Sequence, residues 1–221
     1  MPVLALDTSA GIAVAVVGPD GVLAARTVPE QRRHAELLAP LITEALAAAG
    51  VDRTALTAIV VGTGPAPFTG LRAGLVTART LGLALGVPVH GVPSLDAVAA
   101  AAFAGLARPV PEVVVVTDAR RREVYTARYA AGPDGDVTRV AGPAVVHPQD
   151  VATDGAAVVG AATTLYPDLW PDAAGDPGVD PAVLARLAAV RLAGGGALPT
   201  EPLYLRRPDV TPAAGRKRVT G

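Results

Sequence analysis

The tetrapeptide Gly-Pro-Asp-Gly occurs twice in the chain, at residues 18–21 and again at residues 132–135. Each copy follows an apolar run that ends in an aspartate. Asp7 precedes the first copy by 11 positions, and Asp118 precedes the second by 14. Because proline, aspartate and glycine between apolar runs favour a tight turn, each copy predicts a β-hairpin. The repeated order of strand, acid and hairpin indicates a duplicated unit, with chance recurrence of a common turn as the alternative.

The length of the chain fits a duplication, because 221 residues suffice for two lobes of about 100 residues each, or for one large domain. We expect an α/β protein with the duplicated RNase H-like fold of the actin, sugar kinase and heat-shock ATPase superfamily, with a reduced second lobe. The predicted boundaries are residues 1–104 for the first lobe, 105–206 for the second and 207–221 for a basic, flexible tail. Such a fold does not by itself define a function.

The first lobe is predicted to follow the order βββαβαβα. Apolar residues at helical spacing indicate a first helix over residues 34–49, which should bend at Pro40 or effectively begin near it, because proline removes a backbone hydrogen bond. A glycine- and proline-rich loop leads into a second helix over residues 71–85. Ser94 is the predicted N-cap of a third helix, with Asp96 in its first turn. In the second lobe, strands are predicted over 113–117, 124–129, 157–160 and 203–205, and one helix over 181–193.

The composition excludes several classes of site. The chain has no cysteine, which excludes disulfides, thiolate zinc sites and a cysteine nucleophile. Its three histidines are widely spaced, so no helical metal-binding pair is predicted. The net charge of −1 provides no general attraction for nucleic acid, and the cationic residues near the end would act only locally. Without a leader-like start or a long apolar run, we expect a cytoplasmic protein that does not enter a membrane.

Enzymes of this superfamily hold ATP phosphates with two hairpin loops and organise a metal with two acids. Residues 7–11 suit the first loop, but residues 118–122 contain no glycine that would let the backbone approach a phosphate. The candidate nucleotide or anion contacts are therefore Asp7, Thr8, Ser9, Asp118 and Arg120. An ATP-using kinase or ATPase stays as an alternative function. The simpler interpretation is that both aspartates accept hydrogen bonds from turn N–H groups.

The most specific motif is the run Gly-Pro-Ala-Pro-Phe-Thr-Gly-Leu-Arg-Ala-Gly at residues 64–74. It resembles the signature of the TsaB family of bacterial tRNA threonylcarbamoyladenosine biosynthesis proteins, with Ala-Pro in place of the usual Gly-Ser. Four further blocks carry the resemblance: residues 4–9, residues 91–97, residues 118–120 with 123–125, and residues 202–206. We expect Thr69 to cap the following helix and Gly70 and Gly74 to allow close packing. The residues assigned to the signature loop are Gly64, Pro65, Phe68, Thr69, Gly70 and Arg72.

The resemblance implies a non-catalytic scaffold that pairs with the related transferase TsaD through the two N-terminal helices of each protein. It further implies that the ATPase TsaE docks on the pair, and that the complex transfers threonylcarbamoyl to the adenosine next to the tRNA anticodon. The tRNA is reached only through the complex, and a homodimer forms when the protein is alone. The TsaD metal pair His-x-x-x-His falls here on Ser94 and Val98, which predicts no metal and no cofactor, except for a nucleotide at a partner interface. An inactive metallo-glycoprotease homologue is the third alternative.

The first two helices are apolar on more than one side, which independently suggests a partner. One face would cover the sheet while another binds TsaD, although alanine-rich helices buried within this lobe would show the same pattern. The residues predicted to bind the partner are His34, Leu37, Leu38, Leu41, Ala45, Leu71, Leu75, Ala78 and Arg79.

Overall fold

The computed structural model describes residues 1–29 and 33–206, so the predicted tail at residues 207–221 lies outside the described residues. The first sheet has the strand order β3-β2-β1-β4-β5, in which β2 is antiparallel to its neighbours and β1, β4 and β5 are parallel. The predicted order βββαβαβα is confirmed. The elements are β1 (Val3–Asp7), β2 (Ile12–Gly18), β3 (Gly21–Val28), α1 (His34–Ala49), β4 (Ala58–Gly62), α2 (Phe68–Leu85), β5 (Val89–Val92) and α3 (Ser94–Gly105).

The second sheet repeats this topology with one strand fewer. Its order is β8-β7-β6-β9, with antiparallel pairs β6–β7 and β7–β8 and a parallel pair β6–β9. The duplicated α/β fold with a reduced second half is therefore confirmed. A strand predicted at residues 203–205 is wrong, because these residues join neither sheet. The elements are β6 (Glu112–Asp118), β7 (Val124–Ala131), β8 (Val137–Val146), β9 (Ala157–Val159), α4 (Ala162–Leu165) and α5 (Pro181–Ala193).

Each sheet is covered by a helix that comes from the other half of the chain. α1 and α2 cover one face of the first sheet, whereas α5 covers its other face and buries Leu184 and Leu187 there. α3 packs on the second sheet through Leu95 and Val98, and it also contacts α5. The two halves are therefore joined by the packing of α3 against α5 between the two sheets.

A buried ion network joins these interlocked helices. Asp96, in the first turn of α3, accepts hydrogen bonds from Tyr129 on β7 and Arg139 on β8, both at 2.8 Å. It also pairs with Arg191 on α5 at 2.9 Å, and Arg191 in turn binds Asp136. A carboxylate buried in this way is tolerated because cationic and hydroxyl groups satisfy its oxygens.

The helix starts differ from those predicted. α1 begins at His34 and contains Pro40, so the proline is not where the helix begins. α2 begins at Phe68, which places Thr69 inside its first turn instead of at the cap. The residue preceding α3 is Pro93, and the hydroxyl of Ser94 is directed to Asp7 instead of to the helix end. Within residues 1–29 and 33–206, no helix is long and apolar enough to span a membrane.

Candidate functional site

A cleft of about 260 Å³ lies between the two halves, where β1 and β6 end. The duplicated topology explains its position, because equivalent strand ends from the two sheets meet there. The cleft is lined by most of the residues that the sequence assigned to nucleotide binding and to the signature loop, although Asp7, Gly64 and Arg72 are not among them, and by one of the predicted partner residues, His34. The predicted residues in its walls are Thr8, Ser9, His34, Pro65, Phe68, Thr69, Gly70, Asp118 and Arg120.

Asp7 lies beneath the cleft and is only 2% exposed. Its Oδ1 accepts hydrogen bonds from the Ser9 N–H at 2.7 Å and the Ser9 hydroxyl at 2.5 Å, and its Oδ2 accepts one from the Ser94 hydroxyl at 2.6 Å. Burial raises the pKa of this carboxyl, while the Ser9 and Ser94 hydrogen bonds oppose that shift. A side chain at Gly62 would collide with the carboxyl, so a glycine is needed there. Asp7 thus organises the turn after β1 and the start of α3.

Asp118 makes the same local bond as Asp7 but in a more open setting. Its Oδ1 accepts the N–H of Arg120 at 2.7 Å, as the Asp7 Oδ1 accepts the N–H of Ser9. Its other oxygen pairs with the Arg120 guanidinium at 3.2 Å. This pair offsets the positive charge of Arg120, which was predicted to bind an anion. The prediction that both strand-end aspartates accept turn N–H groups is confirmed.

The loop after β6 reaches a left-handed conformation without glycine. Arg120, Arg121 and Arg122 have φ angles of 63°, 55° and 60°. Such a backbone costs roughly 1–2 kcal/mol per residue for side chains with a Cβ atom. Two hydrogen bonds close the loop, one from Glu123 N–H to the Arg120 carbonyl and one from Ala119 N–H to the Glu123 carbonyl, both at 3.0 Å. The absence of glycine therefore does not prevent a left-handed turn here.

The signature loop is built by close contacts between backbone and side chains. Gly64 has φ +84° and precedes a cis peptide bond to Pro65, and its N–H and carbonyl both bind Ser94. Thr8 donates its hydroxyl to the carbonyl of Gly70 at 2.9 Å, and a Cβ atom at Gly74 would collide with the same side chain. The predicted close packing at these two glycines is confirmed.

His34 lies in the cleft wall and not on an outer face of α1. The residue is buried, and its Nε2 has no hydrogen-bond partner among the residues that the structure describes. Its ring lies against Gly70, where a Cβ atom would come within 3.2 Å of Nε2. Glycine at position 70 therefore makes room for this imidazole beside the signature loop.

Arg72 faces away from the cleft. Its guanidinium lies 3.4 Å from the centre of the Phe68 ring, and its Nε donates to the hydroxyl of Tyr204 at 3.0 Å. The rings of Phe68 and Tyr204 are 4.7 Å apart, so the three side chains form a stack. The signature arginine thus holds a segment near the end of the described chain.

The predicted partner residues lie mainly in the core, which corrects their assignment as surface contacts. The periodicity of α1 and α2 correctly marked one side of each helix, but that side covers the first sheet. Leu37 is partly buried and Arg79 is exposed. The buried members of the set are His34, Leu38, Leu41, Ala45, Leu71, Leu75 and Ala78.

A different side of α2 is exposed and partly apolar. Val76 and Leu83 are 62% and 87% exposed, and they alternate along the helix with the exposed residues Arg72 and Arg79. Residues separated by three or four positions share one helix face. We call these four residues the α2 stripe. Val76 and Leu83 were not predicted from the sequence, although their helical spacing places them on a different side of α2 from Leu71, Leu75 and Ala78.

Comparisons with known proteins agree with the resemblance. The family model described as TsaD, tRNA N6-adenosine threonylcarbamoyltransferase, matches residues 23–164. An uncharacterized protein of Mycobacterium leprae is 42% identical over 215 residues, which is 95% of this chain but only 56% of that protein. The tRNA threonylcarbamoyladenosine biosynthesis protein TsaB of Escherichia coli is 30% identical over 175 residues, 76% of this chain and 75% of that protein.

Structural comparison indicates the same family. The solved structure of YeaZ from Pseudomonas aeruginosa superposes with a TM-score of 0.77 at 28% identity, and covers 92% of this chain and 99% of that one. Sequence and structure therefore agree over most of the length, and the chain belongs to the TsaB (YeaZ) family.

Proposed function

We propose that this chain is a non-catalytic subunit in the biosynthesis of tRNA threonylcarbamoyladenosine, and that it binds a TsaD transferase through the outer face of α1 and α2. The name of the Escherichia coli relative and the match to the TsaD family model support this role. The proposed setting is the cytoplasm, where the complex would meet its tRNA.

The α2 stripe is the observation that carries the proposal. A leucine that is 87% exposed, on the same face as an exposed valine, leaves apolar area in contact with water. Arg72 and Arg79 border that area with cations whose long stems can cover neighbouring apolar surface. A helix face of this kind suits packing against an apolar helix of a partner.

α1 supplies a second, smoother part of the same surface. Its exposed side includes Ala39, Thr43 and Ala47, which are four residues apart and therefore lie one above another. Small side chains allow a partner helix to approach closely. Because α1 contacts α2 along the lobe, the two helices together can contribute half of a four-helix bundle.

The residues that match the metal pair of TsaD have structural roles in this chain. The hydroxyl of Ser94 binds Asp7, and Val98 is buried between α3 and the second sheet. Both oxygens of Asp7 accept hydrogen bonds from neighbouring serines, so this carboxylate already has a structural role. These contacts support placing the chemistry in the partner instead of in this chain.

The remaining parts of the proposal concern assembly. TsaE docks on the pair of this chain with TsaD, and tRNA is reached only through the complex. Without TsaD, a second copy of the chain covers the same helices as a symmetric homodimer. Any nucleotide would bind where the chain meets a partner, with Asp7, Thr8, Ser9, Asp118 and Arg120 as the nearest candidate contacts.

Leu83→Glu tests the proposed interface. The exposed position should leave folding intact, whereas a carboxylate desolvated in a helix bundle should abolish co-elution with TsaD. Leu165→Glu is the matched control, because Leu165 is also an exposed leucine, at 54%, but lies on α4. Co-elution of folded Leu83→Glu with TsaD, at the level of the control, would refute the interface. Leu38→Glu is unsuitable because Leu38 is only 1% exposed and its replacement would disrupt the core.

The alternative function, an ATP-using enzyme, is distinguished by Asp7. In the scaffold proposal, folded Asp7→Ala combined with TsaD and TsaE still modifies tRNA. Loss of modification by a complex that forms normally would instead favour catalysis by this chain.

A further inference from the structure

Residues 198–206 form an extended segment, here called the clasp, that follows α5 and contacts both halves of the molecule. Its backbone is fixed on the first sheet. The Leu198 carbonyl accepts the N–H of Gly91 on β5 at 3.0 Å, and the N–H of Leu203 donates to the carbonyl of Thr63 at 2.9 Å. A Cβ atom at Gly91 would collide with the Pro199 carbonyl. The clasp thus lies tightly over the ends of β4 and β5.

Two arginines of the α2 stripe hold the side of the clasp. Arg79 donates to both the hydroxyl and the carbonyl of Thr200, at 2.9 and 2.7 Å. Arg72 donates to the hydroxyl of Tyr204, whose ring stacks on Phe68. The same two side chains therefore take part in the exposed stripe and in the attachment of the clasp. A protein that packs on the stripe must contact them or restrict their rotamers.

The far end of the clasp is attached to the second half. Arg206 donates to the carbonyl of Arg120 at 3.2 Å and forms an ion pair with Glu123. Both acceptors belong to the left-handed loop over residues 119–123, which forms one wall of the cleft through Arg120. Phe68, beneath Tyr204, lines the opposite wall. The clasp thus connects the α2 stripe to both walls of the cleft.

We propose that the clasp couples the α2 stripe to the cleft, so that a protein bound on the stripe fixes Arg72 and Arg79, tightens the clasp and holds the loop over residues 119–123. The identity of that protein as TsaD rests on the proposed function, whereas the coupling within the chain does not. Coupling of this kind is reciprocal, so a change at the loop should also change the affinity at the stripe.

The first experiment uses the full chain alone. Arg72→Gln removes the charge that binds Phe68 and Tyr204, and hydrogen–deuterium exchange is followed in peptides that cover residues 119–123. We expect exchange at least about fivefold faster there, in the other half of the molecule. The control Arg26→Gln alters a partly exposed arginine of β3 that is not part of the clasp, and its exchange should match that of the unmodified chain. Equal exchange in both variants would refute the coupling, whether or not TsaD binds.

The second experiment measures the reciprocal effect. Glu123→Gln breaks the ion pair with Arg206 in the second half, and the Kd for TsaD should rise about fivefold. Asp154→Asn is the matched control, because it breaks another ion pair of the second half, with Arg128, that is not part of the clasp. An unchanged Kd in Glu123→Gln would refute transmission to the stripe. Failure of the unmodified chain to bind TsaD would refute the proposed function instead, while the exchange experiment would still test the coupling.

Discussion

The two halves of the molecule have the same strand order but use their strand-end aspartates differently. Asp7 is buried and fixes the start of α3 through Ser94, whereas Asp118 is partly exposed and neutralises an arginine of its own loop. Both aspartates keep one bond in common, to the N–H two residues further along. The duplication thus preserved a turn and lost the equivalence of the sites. A backbone motif can be inherited without the chemistry associated with it.

The largest expected effect on stability comes from the ion network around Asp96, which joins the two halves. Asp96→Ala removes the carboxylate shared by Tyr129, Arg139 and Arg191, and it leaves Arg139 partly buried without its partner and Arg191 with Asp136 alone. We expect the free energy of unfolding to fall by about 3–5 kcal/mol, measured by denaturant titration. Asp154→Ala, at a 72% exposed carboxylate, is the control and should change it by less than about 1 kcal/mol. Similar losses in both variants would mean that the network does not join the halves.

The second-largest expected effect is the difference in stability between variants that lack Asp7 and variants that lack Asp118. Asp7→Ala leaves the Ser9 and Ser94 donors without an acceptor in a buried site, so the free energy of unfolding should fall by about 2 kcal/mol. Asp118→Ala removes a solvent-screened pair with Arg120 and should cost less than about 1 kcal/mol. Equal costs would show that the two sites remain equivalent.

The burial of Asp7 also predicts how the stability of the chain depends on pH. Because burial raises the pKa of Asp7, the folded chain binds this proton more tightly than the unfolded chain does. The contribution of Asp7 to stability is therefore complete below the unfolded pKa and is lost as pH rises through the folded pKa. Asp7→Asn removes that loss, so its stability relative to the unmodified chain should increase from acid to neutral pH. A constant difference across that range would contradict the raised pKa.

The smallest effect concerns the loop over residues 119–123. Arg122→Gly relieves a left-handed backbone but increases the freedom of the unfolded chain, so we expect a net gain of about 0.5 kcal/mol. Arg108→Gly is the control, since Arg108 is exposed in a connection and does not have a positive φ angle. It should lower stability slightly. A loss in both variants would mean that the left-handed backbone of the loop is not strained.

The sequence predicted the order of elements in the first half because each has a strong local signal. It missed β8, a ten-residue strand with many exposed positions that contains Gly142-Pro143, a pair that normally indicates a turn. It also missed the role of Asp96, because Arg139 and Arg191 are distant along the chain and no local pattern links them.

The candidate site was predicted in part. The strand-end residues and the signature loop do meet in one cleft, since duplicated sheets bring equivalent ends together. The partner residues were assigned to the wrong side of their helices, because periodicity identifies an apolar face but not what covers it. Val76 and Leu83 became recognisable only when the core had been assigned to Leu71, Leu75 and Ala78. The contacts of the clasp were not predicted, because its partners on α2 and in the loop over residues 119–123 are distant along the chain.

α3 of the first half covers the second sheet, and α5 of the second half covers the first sheet. This arrangement limits where the chain can be cut into fragments that fold. A cut in the exposed connection at residues 107–109 would give two fragments, each with one sheet face whose covering helix lies on the other fragment. Neither fragment could bury its apolar face alone, so both should be unstructured or aggregate separately and become ordered when mixed. We therefore expect that the two repeated halves do not fold independently, although each corresponds to one copy of the duplicated unit.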